Sequence, residues 1–177
     1  RNVELHHAFN APQYGTVSVW VYDGETGHYT QLGIENRSAG TGAQIGTQDW
    51  ESFGEGRYFY LNQTASEEVN KSSLLRTRGW HHWSISAMPE ATTFSIDGQV
   101  VYQGSGGNAF NFVRLDMHGP SGGAFNTYFD DFSFVAAQPP DPANFSDDFE
   151  AATLDPFWGT REDNGSVLFP STAQAHS

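Results

Sequence analysis

The sequence predicts an all-β chain folded as a two-sheet antiparallel β-sandwich. Three observations carry that reading. Short stretches rich in Val, Ile, Phe, Tyr, Trp and Thr alternate in polarity with a period of two. Turn signals such as Asp23-Gly24, Asp97-Gly98 and Gly119-Pro120 separate them, about ten residues apart. No stretch sustains a helical period, so nothing competes with the strands.

Val3 to Phe9 reads as a short first strand, with Pro12 and Gly15 expected to break it. Thr16 to Tyr22 is a strong strand. Val17, Val19 and Val21 share one face, and Ser18, Trp20 and Tyr22 the other. Its dense apolar content predicts burial on both faces. Tyr29 to Glu35 follows. Residues 36–56 are rich in Gly, Ser and Thr and read as loops around one short strand. Arg57 to Leu61 is a strand, Glu67 to Ser72 reads as loop, and Gly79 to Ser86 is a strand. Thr92 to Gly104 is the clearest hairpin, because Asp97-Gly98 supplies the positive φ angles of a tight turn. Asn111 to His118 places Val113, Leu115 and Met117 on one face and Phe112, Arg114, Asp116 and His118 on the other. Thr127 to Val135 is a last acidic strand of the body, followed by the linker Gln138-Pro139-Pro140-Asp141-Pro142.

Composition narrows the partners. The 177 residues carry a formal net charge of −13, with no basic patch to meet phosphates. Nucleic acid is therefore not an expected partner, and neither is an anionic membrane. No apolar run reaches the roughly 18 residues of a spanning helix, so membrane insertion is not expected. The chain has no cysteine, which removes disulfides and thiolate metal sites. Asn36, Asn62, Asn70, Asn144 and Asn164 stand in N-x-S/T form. Those sites carry sugar only on exposed loops of a secreted protein.

Three pieces resemble the laminin-G-like, concanavalin-A-like jelly-roll superfamily. They are Gly15-Thr16-Val17-Ser18-Val19-Trp20-Val21, then Gly79-Trp80-His81-His82-Trp83-Ser84-Ile85 with the Phe94-Ser95-Ile96-Asp97-Gly98 hairpin, and Tyr128-Phe129-Asp130-Asp131-Phe132. The resemblance implies a jelly roll over residues 1–137 and little about function, since this superfold hosts many activities. Carbohydrate-binding modules of this type commonly open with Phe-Glu on a first strand beside the last. Residues 1–137 lack that opening. Beyond the linker at 138–144, Phe145-Ser146-Asp147-Asp148-Phe149-Glu150 supplies it. Residues 145–177 are accordingly expected to complete a sandwich by docking, in the same molecule or in a neighbouring copy, because a missing edge strand leaves backbone and apolar surface unpaired.

Asp130, Asp131, Asp147, Asp148 and Glu150 bunch at this proposed seam, a set of hard oxygen donors suited to Ca²⁺. The resemblance implies a structural calcium there, with Glu150 and Asp131 at the matching positions. Asp130 and Asp148 complete the expected metal set. A glycan surface is expected from aromatic rings that stack on sugar C–H faces beside polar groups that read hydroxyls. The candidates are Trp50, Tyr58, Tyr60, Arg114, Asp116, His118 and Asn126, with His28 nearby in the reading. Trp20, Trp80 and Trp83 lie inside strand motifs and read as core. His6-His7 and His81-His82 are adjacent pairs that point to opposite strand faces, which disfavours shared metal ligation.

Catalysis is not expected. A retaining glucanase of this superfold shows Glu-x-Asp-x-Glu along one strand, placing two carboxyls about 5–5.5 Å apart, and no such run exists here. The sequence also lacks G-x-S-x-G, H-E-x-x-H and a phosphate loop. The expectation is a non-catalytic, extracellular or cell-surface module binding polysaccharide, with structural calcium. The alternative is a structural repeat of a surface filament, joined to copies of itself by strand exchange.

Overall fold

The computed structural model describes residues 2–24, 29–48, 56–63, 69–119, 126–137, 145–150 and 153–163. Every regular element in them is a strand. In chain order these are β1 (Asn2–Gln13), β2 (Gly15–Asp23), β3 (Tyr29–Asn36), β4 (Thr41–Thr47), β5 (Arg57–Asn62), β6 (Asn70–Leu75) and β7 (Gly79–Ala87). Then come β8 (Ala91–Ile96), β9 (Gln99–Ser105), β10 (Phe110–His118), β11 (Tyr128–Ala136), β12 (Phe145–Asp147) and β13 (Gly159–Asp163). They form two antiparallel sheets. One has seven strands in the order β13-β1-β10-β3-β4-β5-β6, and the other six in the order β12-β11-β2-β7-β8-β9.

The period-two alternation decides what lies between the sheets. Val17, Val19 and Val21 of β2, Trp83 and Ile85 of β7, and Phe132 and Phe134 of β11 point inward from the six-stranded sheet. Leu5, Leu32, Ile34, Ile45, Tyr58, Val113 and Leu115 meet them from the seven-stranded sheet. Most are fully buried, each contributing about 1.5–3 kcal/mol by leaving water. The β8–β9 turn is as the sequence predicts, with Asp97 at φ 52° and Gly98 at 76°.

Three local expectations are corrected. β2 is not buried on both faces: its residues alternate strictly between buried and half-buried, because no strand among the described residues lies over the outer side of the six-stranded sheet. β1 runs on through Pro12, and its register with β10 shifts between Ala8 and Gln13. A bulged edge tolerates a proline that an even ladder does not. The stretch expected as loop before Ser72 is in part strand, since β6 begins at Asn70.

The segment after the linker contributes one strand to each sheet. β12 pairs with β11, Phe145 opposite Phe134 and Asp147 opposite Phe132. β13, which no sequence signal predicts, pairs with β1 over Asn2 to His6. Between them Trp158 is buried and packs edge-on against Phe132 with centroids 4.7 Å apart. Its indole Nε1 donates to Asp147 Oδ2 at 2.9 Å. Phe157 stacks on His7 at 3.7 Å and 6°, and its carbonyl lies 2.6 Å from His7 Nδ1.

Candidate functional site

The outer face of the seven-stranded sheet carries a concentration of polar groups at its centre. Alternation sends Glu4 and His6 of β1 outward, Phe112, Arg114, Asp116 and His118 of β10, and Tyr29, Gln31, Gly33 and Glu35 of β3. Register then sets them side by side. Glu4 lies opposite Asp116 and His6 opposite Arg114, while Arg114 faces Gly33 and Asp116 faces Gln31. A side chain at Gly33 would meet Arg114, since a Cβ there would sit 3.1 Å from its Nε. The glycine leaves the guanidinium room to lie across the sheet.

Arg114 is ringed by carboxylates. Its Nη1 is 3.0 Å from Glu35 Oε1 and 3.9 Å from Glu4 Oε2, and its Nε is 3.9 Å from Asp116 Oδ2. Asp116 is only 2% exposed. Its Oδ2 accepts a 2.6 Å hydrogen bond from Gln31 Nε2, and Gln31 Oε1 accepts one of 2.6 Å from the Tyr29 hydroxyl. His118 Nε2 stands 2.9 Å from Asp116 Oδ1, and His6 Nδ1 3.0 Å from Glu4 Oε1. These two pairs are close in distance but lack hydrogen-bond geometry. Asp116 Oδ1, Arg114 Nε and His6 Nδ1 are buried without a hydrogen-bond partner. Rings flank the cluster at both ends. Tyr29 stacks on Phe59 at 5.4 Å and meets His118 edge-on at 5.2 Å. Phe112 stacks with His6 at 5.0 Å and lies under the Arg37 guanidinium at 3.3 Å. Burial, aided by the charge on Asp116 and opposed by Arg114, raises the Tyr29 hydroxyl to a pKa of about 12.

Of the residues expected to bind glycan, Arg114, Asp116 and His118 are brought together here. Asn126 is exposed and outside the network. Tyr58 and Tyr60 point into the sandwich instead. Tyr58 is fully buried against Trp83 at 5.8 Å, and Tyr60 stacks on Tyr102 at 4.5 Å. They sit on the inward rungs of β5, which a two-residue period alone could not assign to a side. Trp50 and His28 lie outside the described residues. The sequence reading missed Gln31, Glu4, Glu35, His6 and Tyr29. Their alternation was visible, but their meeting depends on β1, β10 and β3 being neighbours.

At the seam, Asp130 is buried and lies opposite Trp20, while Asp131 occupies an irregular rung at φ 48°. Asp131, Asp147, Asp148 and Asp155 line one cleft of about 600 Å³; Glu150 is exposed. Several of these acids serve the backbone. Asp130 Oδ1 accepts from the Asp131 N–H at 2.9 Å, Asp147 Oδ1 from Phe149 at 2.8 Å, and Asp148 Oδ1 from Glu150 at 3.1 Å. Among the described residues no three His, Asp or Glu side chains converge as a metal-holding group.

No protein-family model matches this sequence, and no curated protein does. Solved structures do match. A Crh5 transglycosylase in complex with NAG superposes with a TM-score of 0.56 at 14% identity, over 83% of this chain and 76% of that one. Scytalido-glutamic peptidase with a peptide-based transition-state analog gives 0.53 at 14%, over 77% and 80%. The mouse laminin alpha1 chain, domains LG4-5, gives 0.52 at 9%, over 89% and 43%. The fold is a laminin-G-like, concanavalin-A-like jelly roll. The jelly roll expected from the sequence is thus borne out. At these identities the likeness carries the fold and no activity.

Proposed function

We propose that this protein is an extracellular, non-catalytic module that binds glycan on the outer face of its seven-stranded sheet. One observation carries the reading: Asp116, Arg114 and Gln31 are packed together at the centre of that face while Asp116 Oδ1 and Arg114 Nε lack hydrogen bonds. Unpaired buried polar atoms cost about 1–3 kcal/mol each, and a ligand that pairs them recovers that cost. Sugar hydroxyls would do so by donating to the Asp116 carboxylate and accepting from Arg114 once the exposed His118 ring, 2.9 Å from Asp116 Oδ1, turns aside. Tyr29 and His118 border the same spot and offer ring surface to C–H faces. The net charge of −13 supports an uncharged glycan over an acidic one. The neighbours of like fold include a transglycosylase complexed with NAG and a laminin chain, which supports a glycan and an extracellular setting. Among the described residues no helix is long and apolar enough to cross a membrane.

The non-catalytic part rests on Arg114, whose one guanidinium lies 3.0 Å from Glu35 and 3.9 Å from both Glu4 and Asp116 and so engages all three carboxylates of this face in ion pairing. The test is a soluble glycan panel read by calorimetry and by reducing-end release. Binding lost in Arg114→Ala without any release by the wild type supports the proposal. Release by the wild type, or binding of short soluble oligosaccharides that is indifferent to Arg114→Ala, refutes it. Calcium belongs to the proposal as a structural ion to be tested at the β11–β12 seam. Melting in calcium several degrees above melting in EDTA would support it, and identical curves would remove it.

The second reading is assembly through the 145–163 segment, favoured by its giving each sheet an edge strand. The same strands supplied by a neighbour would link copies. Light scattering decides it: concentration-dependent oligomers support exchange, and a monomer at all concentrations removes it.

A further inference from the structure

We propose that the outer face of the six-stranded sheet is a second glycan-binding surface, one that stacks on an extended, uncharged polysaccharide. The sequence reading placed Trp20 and Trp80 in the core. Of the three strand tryptophans expected there, Trp83 alone is. Trp20 and Trp80 are half-buried on the outer side, and register gathers further rings around them. Tyr128, Tyr22 and Trp80 lie opposite one another on β11, β2 and β7, forming one row. The next row is Asp130, Trp20 and His82. Beyond it come Ser133, Ser18 and Ser84, then Val135, Thr16 and Ser86.

Tyr22 stands at 72° to Trp80 with centroids 5.7 Å apart, and at 83° to Tyr128 at 6.0 Å. Trp20 and His82 are 5.3 Å apart. Trp80 and Tyr128 therefore flank an upright Tyr22, two strand spacings or about 10 Å apart. A sandwich ordinarily turns polar residues outward. Five contiguous half-buried rings on a sheet face over which no described strand packs mark an interaction surface.

Charge selects the occupant. Across these four rows the only carboxylate is Asp130, which is buried, and there is no Lys or Arg. Arg78 reaches only the row's margin, at the Tyr22 hydroxyl, 3.3 Å away. A chain of net charge −13 repels polyanions, and the acids a cationic ligand would meet are the buried Asp130 and, at the margin, Asp97, whose carboxylate is already engaged by His81 and the His82 N–H. A neutral polyol matches both halves of the face, with C–H faces on the rings and hydroxyls on Ser18, Ser84, Thr16 and Ser86. The rows run along a sheet and not into a pocket, so an extended chain fits better than a single sugar. This surface lies on the opposite side of the sandwich from Arg114 and stands independently of the reading given to that site. With both sites filled, one molecule bridges two polysaccharide chains.

The test is depletion of the intact protein by pelleted microcrystalline cellulose, chitin and β-1,3-glucan, with gel retardation in xylan and in heparin. The variants are Tyr22→Thr/Trp80→Thr, Ser84→Lys and Arg114→Ala, each checked by its melting curve. Binding to at least one uncharged polysaccharide should fall about tenfold or more in the first two and persist in Arg114→Ala, with no retention by heparin. Ser84→Lys places a charge on the hydroxyl rows without removing a ring, so it decides the matter if the double variant fails to fold. Wild-type affinity in a folded Ser84→Lys, binding lost only in Arg114→Ala, or no binding by the wild type would overturn the proposal. Self-association abolished by Tyr22→Thr/Trp80→Thr, without polysaccharide binding, would overturn it in favour of a protein interface.

Discussion

Gln31 and Asp116 lie directly opposite each other on β3 and β10, and the Gln31 amide donates to Asp116 Oδ2 at 2.6 Å. Both are buried although they lie on the outer face of their sheet, over which no described strand packs. The surrounding side chains, Tyr29 and Arg114 among them, exclude water from the pair. Gln31→Ala should therefore cost about 1–3 kcal/mol, because it leaves a buried carboxylate oxygen without its donor. It should also weaken glycan binding, since Asp116 loses the contact that fixes its orientation. Urea denaturation and calorimetry on the same variant separate the two effects. Unchanged stability would mean that water replaces the amide.

Asp23 and Arg76 form a bidentate ion pair, Nε to Oδ2 at 2.9 Å and Nη2 to Oδ1 at 2.7 Å. The side chains are 1% and 8% exposed. Breaking a buried pair strands the remaining charge and typically costs about 3–5 kcal/mol. Asp23→Ala should approach that range in chemical denaturation. Arg76→Lys should recover little, because an ammonium cannot make both bonds. A loss below about 1 kcal/mol in Asp23→Ala would place the pair in water.

Tyr29 sets an alkaline limit. Its hydroxyl titrates near 10.0 in an exposed chain and at about 12 here, raised first by burial and then by Asp116. The folded state holds this proton where the unfolded state has released it. The stability it contributes is full below pH 10 and is lost as pH rises through 12. Tyr29→Phe should lower neutral-pH stability by about 1–3 kcal/mol, because it strands the buried Gln31 Oε1, and should flatten part of the further fall in melting temperature over that window. An identical alkaline slope in the variant would assign the fall elsewhere. Tyr58 contributes in the same direction, because burial pushes its hydroxyl up as well.

The fold was legible because its signals are local. Alternation in Val17-Ser18-Val19-Trp20-Val21 and the Asp97-Gly98 turn mark strands without reference to anything distant. Side assignment was harder. Trp20 and Trp83 read alike as strand tryptophans, yet one faces out and the other in, because the period of two says only that neighbours differ. The candidate site was half legible. Arg114, Asp116 and His118 share one strand face and were found together. Gln31, Glu4 and Glu35 belong to strands whose adjacency is set by topology, and Gly33 matters only because Arg114 lies opposite it. β13 had no apolar alternation to announce it, since Gly159 to Asp163 is an edge strand held by pairing with β1.

The same dependence on distant pairing makes Trp158 the most informative position in the C-terminal segment. It carries the only large buried side chain between β12 and β13 among the described residues. It packs on Phe132 at 4.7 Å and on Phe149 at 5.8 Å, and its indole N–H is paired with Asp147. β12 is three residues long, too short to hold the edge of a sheet by its ladder bonds alone. Removing the indole therefore acts twice, opening a cavity over Phe132 and freeing Asp147. Trp158→Ala should cost about 3–5 kcal/mol. Because β12 and β13 flank this side chain, the loss should release them before the rest of the sandwich. Hydrogen exchange should show the amides of 145–147 and 159–163 exchanging much faster, with those of β2 and β7 protected. Trp158→Phe keeps most of the packing and loses the hydrogen bond, so it should fall between the two. Uniformly faster exchange across all strands in Trp158→Ala would show instead that the segment and the body unfold as one unit.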